Sequence, residues 1–267
     1  MPARPQARLR IVTLGGDLTE IAFALGRGTD LVGRDTTSTY PEAALALPDA
    51  GYVRTLGAEG ILSLRPDLVI ASVDAGPPAV IAQIEAAGVE VLVAPAGYSL
   101  AGLTARLDAI GRRLREVDRA TALADAIALR MAGIDRALAD VGERPRVLFL
   151  LNAGDGAPLA AGSHTAADAM IALVRAENVF AAQAGYRPLS LEAAAAAAPQ
   201  AILTMDHALA AMGGKEGLMR HAALRLTPAA REGRIVARDG LYLLGFGPRL
   251  ADARADLAST LHEGLSL

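Results

Sequence analysis

Two side chains two residues apart, Tyr52 and Arg54, are the pair in this sequence best suited to hold a metal. They lie in segment 50–57, between a short strand pattern and a helix pattern. The phenolate of a tyrosine is a hard anionic oxygen that suits ferric iron. A free phenol has a pKa of about 10, so both a metal and a neighbouring cation such as Arg54 must favour its ionised form. The alternative is a loop tyrosine that covers apolar surface beside a solvated arginine.

The sequence carries no motif typical of a nucleotide-binding or hydrolytic enzyme. Gly-rich segments 14–17 and 245–248 match neither the dinucleotide fingerprint nor a phosphate-binding loop. Ser163 and His164 are neighbours, but no Gly-x-Ser-x-Gly motif surrounds a serine. There are no cysteines and no His-x-x-x-His pair, so neither thiol chemistry nor a multi-histidine zinc site is predicted. An α/β enzyme acting on a small substrate therefore remains the less favoured alternative.

The composition is that of a globular protein. The 267 residues are 52% hydrophobic but only 3% aromatic, and the formal net charge is -3. No run of about 18 apolar residues predicts a membrane-spanning helix, and no basic stripe predicts binding to nucleic acid. The start of the chain, Met1 to Arg4, leads to the first strand pattern without an apolar signal segment. We expect either a cytoplasmic protein or one whose signal peptide has been removed.

Strand and helix patterns alternate in both halves of the chain, which predicts α/β units with largely parallel sheets covered on both faces. A capping box at Asp17 and Glu20 is expected to begin the first helix. Between residues 100 and 141 only helical spacing is found, with a break near Glu116 and a second helix capped by Asp118. The predicted strands cover 9–14, 31–34, 68–71, 89–93, 146–151, a short stretch near 179, and 201–205, and the predicted helices outside the connector cover 17–25, 58–64, 79–87, 165–174 and 191–198.

The two halves resemble each other around two glutamates. Glu59 and Glu192 each follow a Gly-Tyr pair and each stand seven residues before a proline that precedes a strand pattern. We therefore predict two Rossmann-like lobes joined by a long helical connector, with ligand bound in a cleft at the carboxyl ends of the strands. The predicted boundaries are 1–100, 101–142 and 143–267.

Several segments resemble the periplasmic haem-binding proteins of ATP-driven haem importers, within the class III binding proteins that also include cobalamin and siderophore binders. The resemblance covers nearly the whole chain, and its most specific parts are the Tyr52 block and the block from Gly162 to Asp168. The matching segments are Gly51-Tyr52-Val53-Arg54-Thr55-Leu56, residues 58–62 and 161–170, Gly185-Tyr186-Arg187-Pro188-Leu189-Ser190, residues 239–241 and Gly245-Phe246-Gly247-Pro248-Arg249.

The resemblance implies that Tyr52 is the axial iron ligand and that Arg54 stabilises the tyrosinate or pairs with a haem propionate. Some members of the family use a second-lobe histidine, here His164, although many use tyrosine alone and His164 could instead cap the helix at Thr165. His207 stands where several relatives carry an arginine for the propionates. The resemblance therefore leaves three alternatives for His207: it bonds a propionate, it approaches the iron, or it is an ordinary surface histidine.

Further haem contacts are predicted at Tyr98, which could stack on the porphyrin or be an ordinary loop aromatic, and at Arg249, with Tyr186 and Arg187 as weaker candidates. The resemblance further implies that Glu59 and Glu192 dock onto arginines of a dimeric permease. The simpler explanation for both glutamates is the favourable charge at a helix start.

The expected function is capture of ferric haem b as the transported ligand, and the chain is not expected to be an enzyme. The expected partners are haem and an inner-membrane ABC permease dimer with its ATPase. The expected state is a monomer in the periplasm, its signal peptide removed. The main alternative is the same architecture binding cobalamin or a ferric siderophore. Whether one or two haems bind is left open.

Overall fold

A computed structural model describes residues 9–152, 158–265 and 267. The chain divides into two compact units, Met1–Ala126 and Ile127–Leu267. The expectation for the segment from Met1 to Arg4 lies outside the described residues.

A four-stranded parallel sheet forms the centre of the first unit. Its order is β2-β1-β3-β4 and every neighbouring pair is parallel. All four residues of β1 and of β3 are buried, because a parallel sheet covered on both faces has no solvent side. The strands are β1 (Ile11–Leu14), β2 (Leu31–Arg34), β3 (Leu68–Ala71) and β4 (Glu90–Val93).

Five helices accompany this sheet, and the first begins differently from the prediction. Gly15 occupies the N-cap position and no side chain caps the helix. The expected capping box is therefore wrong: Asp17 lies within the first turn, and its carboxylate pairs with the Nε of Arg106 at 3.0 Å. The helices are α1 (Gly16–Ala24), α2 (Ala58–Ser63), α3 (Pro78–Ala86), α4 (Leu100–Leu114) and α5 (Val117–Ala139).

The two helices predicted between residues 100 and 141 are present as α4 and α5. Ser99 caps α4 by accepting a hydrogen bond from Gly102 N at 3.0 Å, and Arg115 ends the helix in the left-handed conformation. Asp118 is not a cap, because α5 begins at Val117 and Asp118 lies in its first turn. The division between the two units falls inside α5.

The second unit contains a six-stranded sheet. Five of its strands follow the order β10-β9-β5-β6-β8, and the sixth, β7, pairs with β5. The pairs of β5 with β7, β5 with β9 and β9 with β10 are parallel, whereas β6 pairs antiparallel with both β5 and β8. The strands are β5 (Arg146–Asn152), β6 (Leu159–Ala161), β7 (Glu177–Asn178), β8 (Tyr186–Pro188), β9 (Ala201–Met205) and β10 (Ile235–Arg238).

The helices of the second unit include several that the sequence pattern did not predict. The predicted helices 165–174 and 191–198 are α6 and α7. The first is one residue shorter at each end, and the second is one residue shorter at its carboxyl end. The others are mostly short, and a four- to seven-residue helix gives too few turns for a clear apolar period. The helices are α6 (Ala166–Leu173), α7 (Leu191–Ala197), α8 (Asp206–Ala211), α9 (Gly214–Arg220), α10 (Pro228–Arg231), α11 (Gly240–Leu244) and α12 (Leu250–Leu261).

The two sheets share one topology, which explains the similarity of the two halves. The parallel order β4-β3-β1-β2 in the first unit corresponds to β10-β9-β5-β7 in the second, and β6 and β8 are antiparallel additions. Glu59 in α2 precedes β3, and Glu192 in α7 precedes β9. The α/β class with two largely parallel sheets is thus confirmed. In the described part of the chain, no helix is long and apolar enough to cross a membrane.

Candidate functional site

The carboxyl ends of β1, β3 and β4 and the loop after β2 meet at one edge of the first sheet, where parallel sheets usually bind ligands. Tyr52 and Arg54 lie in the long segment between β2 and α2, and Tyr98 lies between β4 and α4. The turn after β3 adds Val73 and Asp74. The residues Tyr52 and Tyr98 are 42% and 47% exposed, so both are accessible to a ligand.

Tyr52, Arg54 and Asp74 form a hydrogen-bonded chain. Nη1 of Arg54 donates to the phenol oxygen of Tyr52 at 2.9 Å. Nη2 of the same guanidinium donates to Oδ2 of Asp74 at 2.7 Å. Burial lowers the pKa of Arg54, but Tyr52 and Asp74 together raise it above its ordinary value. Arg54 therefore stays charged and holds a positive donor against the oxygen of Tyr52.

The backbone around Tyr52 is fixed by bonds to two other loops. Thr36 N donates to Gly51 O at 3.0 Å, and Leu56 N donates to Gly76 O at 2.9 Å. Gly76 N donates in return to Val53 O at 2.9 Å. Val53 and Leu56 are buried on the two sides of Arg54, so the exposed side chains project from an anchored segment.

Gly51 is required by the backbone at this point. Its φ is +98°, a region that side chains other than glycine rarely adopt. An added Cβ would meet no atom within 4 Å, so space is not the constraint. The conformation of Gly51 turns the chain so that the next residue, Tyr52, lies at the exposed edge of the first sheet.

A buried polar network lies beneath the same edge. The carboxylate of Asp35 accepts bonds from Gly15 N at 3.0 Å, Thr37 N at 2.9 Å and the Ser38 hydroxyl at 2.7 Å. Asp35 and Ser38 are fully buried. Thr36, whose N–H bonds Gly51 O, lies between Asp35 and Thr37 in the chain. Asp35 therefore connects the ends of β1 and β2 to the Tyr52 segment.

The Tyr98 loop is held by Arg106 of α4. Nη1 of Arg106 donates to Gly97 O at 3.0 Å and to Pro95 O at 3.3 Å, and Nε pairs with Asp17. Burial raises the pKa of Asp17 to about 6 in spite of Arg106, which lowers it. The pKa of Tyr98 is raised mainly by burial, with Asp74 and Asp17 adding to the effect and Arg54 and Arg106 opposing it.

In the second unit, His164 is exposed and its backbone is left-handed, with φ 62°. It does not cap α6, because Thr165 occupies the N-cap position and accepts from Asp168 N at 3.1 Å. The alternative in which His164 caps the helix is therefore wrong. Ser163 N donates to Gln183 O at 2.7 Å, so the Gly162 block and the block at Gly185 and Tyr186 lie side by side.

His207 and Arg249 also lie in the second unit. His207 is the second residue of α8 and is exposed. Its Cε1 lies 3.4 Å from where a Cβ on Gly240 would be, so the imidazole covers the start of α11. The guanidinium carbon of Arg249 lies 5.0 Å from the ring centre of Tyr242, a cation–π contact.

Glu59 and Glu192 are both exposed and both second residues of their helices. The pKa of Glu192 is lowered by hydrogen bonds to its own backbone and to Ser190. Each glutamate thus lies at the start of a helix, where a negative charge is favourable. This position is what the explanation by helix electrostatics alone requires.

The structure brings Tyr52 and Arg54 into direct contact and places Tyr98 near them. Sequence reasoning missed Asp74, Asp17 and Arg106. The sequence held a signal for Asp74 and Asp17, because each follows a predicted buried strand by a few residues. Within the described residues, no group of three or more histidines, aspartates or glutamates could hold a metal ion. Tyr52 offers a single oxygen atom for coordination. One protein oxygen suits an iron whose other coordination positions are filled by the molecule that carries it.

Comparison with known proteins agrees with this architecture. The periplasmic haem-binding protein RhuT from Roseiflexus sp. RS-1, solved in apo form, superposes with a TM-score of 0.91 at 41% identity, covering 96% of this chain and 98% of RhuT. The periplasmic haem-binding protein BhuT, solved with two haems, gives a TM-score of 0.90 at 43% identity, covering 96% and 99%. A vitamin B12-binding protein of Vibrio cholerae is 29% identical over 215 residues, 78% of this chain and 74% of its own length.

The family model described as periplasmic binding protein matches residues 11–240. That range includes both sheets and all the candidate residues except Arg249. With the shared topology of the two sheets and the fold of the solved structures, the match shows that this chain belongs to the periplasmic binding protein family.

Proposed function

We propose that this protein is a periplasmic binding protein that captures ferric haem b through Tyr52 and delivers it to an ABC permease dimer with its ATPase. The observation that carries the proposal is the exposed phenol of Tyr52, which accepts a bond from the charged Arg54 at 2.9 Å. Binding and release, with no covalent change in the ligand, is the activity proposed, so the protein is not an enzyme. Haem-binding neighbours at 41% and 43% identity support the ligand class.

The first unit supplies the main contacts in this proposal. The phenol of Tyr52 loses its proton as the oxygen binds iron, and Arg54 donates to that oxygen and offsets its negative charge. Tyr98 and Val73 are 47% and 58% exposed at the same edge. Covering such surface favours binding of a large flat ligand, at about 25 cal/mol per Å² of apolar area.

The second unit supplies further proposed contacts. His164 is exposed and is proposed as a second iron ligand. His207 is exposed and is proposed to contact the haem carboxylates, as is Arg249, which is partly exposed over Tyr242. Tyr186 is half-buried beside the His164 segment.

Delivery is proposed to use Glu59 and Glu192. Both carboxylates lie at corresponding places in the repeated topology, and a pair of equivalent anions fits a permease built as a symmetric dimer. The protein is proposed to act as a monomer in the periplasm, and the match to the periplasmic binding protein family supports that location.

The test of iron ligation is a titration of the apo-protein with ferric haem, followed by visible absorption. The wild type should saturate and show a tyrosinate-to-iron charge-transfer band. Tyr52→Phe removes the oxygen and should abolish that band and weaken binding by about 100-fold or more, a loss of about 3 kcal/mol for a direct ligand. Tyr40→Phe, a similarly exposed tyrosine at 45%, should keep the band. An unchanged spectrum in Tyr52→Phe would remove the central claim.

Cobalamin is the second candidate ligand, because a vitamin B12-binding protein is among the relatives. In that case Tyr52 would only pack against the ligand. Saturable binding of cobalamin that Tyr52→Phe leaves unchanged, without saturable haem binding, would favour this alternative.

A further inference from the structure

Asp74 has no part in the haem-binding mechanism proposed so far, yet it is bonded to the arginine that serves the iron ligand. Resting on the proposed function, we propose that Asp74 is a positioning residue that directs Arg54 to Tyr52 and keeps it from the carboxylates of the haem. Arg54 could otherwise turn either to the phenol oxygen or to a propionate.

The geometry of the guanidinium supports this role. The group is a rigid planar fork, so the direction of one terminal nitrogen determines that of the other. Asp74 holds Nη2 at 2.7 Å while Nη1 points to the Tyr52 oxygen at 2.9 Å. Both partners are themselves placed by the backbone, because the bonds between Gly76 and Val53 and between Leu56 and Gly76 fix the spacing of the two loops.

The charges lead to the same conclusion. A propionate that approached Arg54 would also approach the carboxylate of Asp74, so attraction and repulsion would oppose each other. The oxygen of Tyr52 bonds Nη1 and Asp74 bonds Nη2, so the two acceptors use different nitrogens of the guanidinium. In water the exposed pair is weak, but a ligand covering Tyr52 would displace solvent and strengthen each of these interactions.

It follows that different cations serve the iron ligand and the haem carboxylates. Arg54 serves the iron ligand, and the haem carboxylates are left to solvent and to cations elsewhere. Loss of Asp74 would free Arg54 to pair with a propionate, at the expense of its bond to Tyr52.

The experiment compares ferric haem with its dimethyl ester, whose carboxylates are blocked, in the full chain. Arg54→Ala should weaken the binding of both ligands by the same factor, because Arg54 acts on the iron ligand. Asp74→Ala should shift the tyrosinate charge-transfer band and change the ratio of haem to ester affinity by about five-fold in favour of haem, the effect of an ion pair of about 1 kcal/mol. Asp74→Asn, which keeps an acceptor for Nη2, should restore the band.

Asp108→Ala is the matched control, because it removes an exposed aspartate paired with Arg112 on α4; it should change neither band nor ratio. The inference is overturned if Arg54→Ala weakens binding of haem but not of the ester, or if Asp74→Ala leaves band and ratio at their wild-type values. A wild type with no saturable haem binding would overturn the proposed function and this inference together. A wild type whose spectrum depends on Tyr52 but not on Asp74 would overturn the inference alone.

Discussion

At the scale of single residues, the site depends on how the backbone presents Tyr52. The phenol is exposed, yet Val53 and Leu56 beside it are buried, and Gly51 before it has a positive φ. An exposed ligand on an anchored segment loses little conformational freedom when it binds. Affinity at this site should therefore respond to backbone changes that leave every side chain of the site in place.

Gly51→Ala tests this dependence on the backbone. The added methyl group has free space, but alanine at φ +98° is strained by about 1 to 3 kcal/mol. We expect relaxation of the segment and haem binding weakened by about ten-fold, measured by titration. Gly57→Ala is the matched control, because Gly57 has equally free space and an ordinary φ of -119°. Equal affinities in the two variants would contradict this account.

At the scale of elements, α4 controls the Tyr98 loop through Arg106. This side chain is buried and connects the loop after β4 to the first turn of α1. Gly102 allows the close approach, since a Cβ there would lie 2.6 Å from Gly97 O. The position of Tyr98 is thus set by a helix that begins after it, a relation that no local sequence pattern reveals.

The Asp17–Arg106 pair predicts a pH dependence of stability. The pKa of Asp17 rises from 3.8 to about 6 on folding, so the folded state binds the proton more tightly than the unfolded state. Its contribution to stability is therefore greatest at low pH and is lost as the pH rises from about 4 to about 6, by at most about 3 kcal/mol.

Urea unfolding of the wild type and of Asp17→Asn between pH 4 and 8 measures this effect. The variant cannot ionise, so its free energy of unfolding relative to the wild type should increase through that window and level off above it. The other carboxylates titrate in both proteins and cancel in the difference. Asp108→Asn, at an exposed pair, should show no comparable trend. A difference that does not vary with pH would refute the assignment.

At the scale of the whole molecule, the repeated topology gives Glu59 and Glu192 corresponding positions before β3 and β9. A favourable charge at the start of a helix explains each glutamate separately. Docking to a dimeric permease, in contrast, requires both glutamates together. The two explanations differ in what the protein can still do after both charges are removed.

The double variant Glu59→Gln with Glu192→Gln separates them. Removing both anions should lower haem transport into vesicles containing the permease several-fold, because each docking contact is a charge pair of about 1 kcal/mol or more, while haem affinity stays at the wild-type value. Glu85→Gln with Glu216→Gln removes two other exposed glutamates, one in each unit, and should leave transport unchanged. Transport equal to the wild type in the first variant would leave only the helix-start role.

Sequence patterns alone determined the α/β class, the two halves, the connector and the pair Tyr52–Arg54. Continuous apolar runs such as β3, and long amphipathic helices such as α4, specify their own structure because their burial pattern is local. The short strand predicted near residue 179 is β7. The three-residue β6 and β8 had no such period, and their partners in the sheet decided them. The short helices α8 to α11 have too few turns to show an apolar period.

The site shows the same limit. Tyr52 and Arg54 could be paired from sequence because they lie two positions apart in one segment. Asp74 meets Arg54 from twenty residues away, and Asp17 meets Arg106 through the packing of α1 against α4. The sequence by itself supplied Tyr52, the proposed iron ligand, and its cation Arg54. Only the tertiary structure decided which anion balances that cation, because parallel strands bring distant loops together at one edge of the sheet.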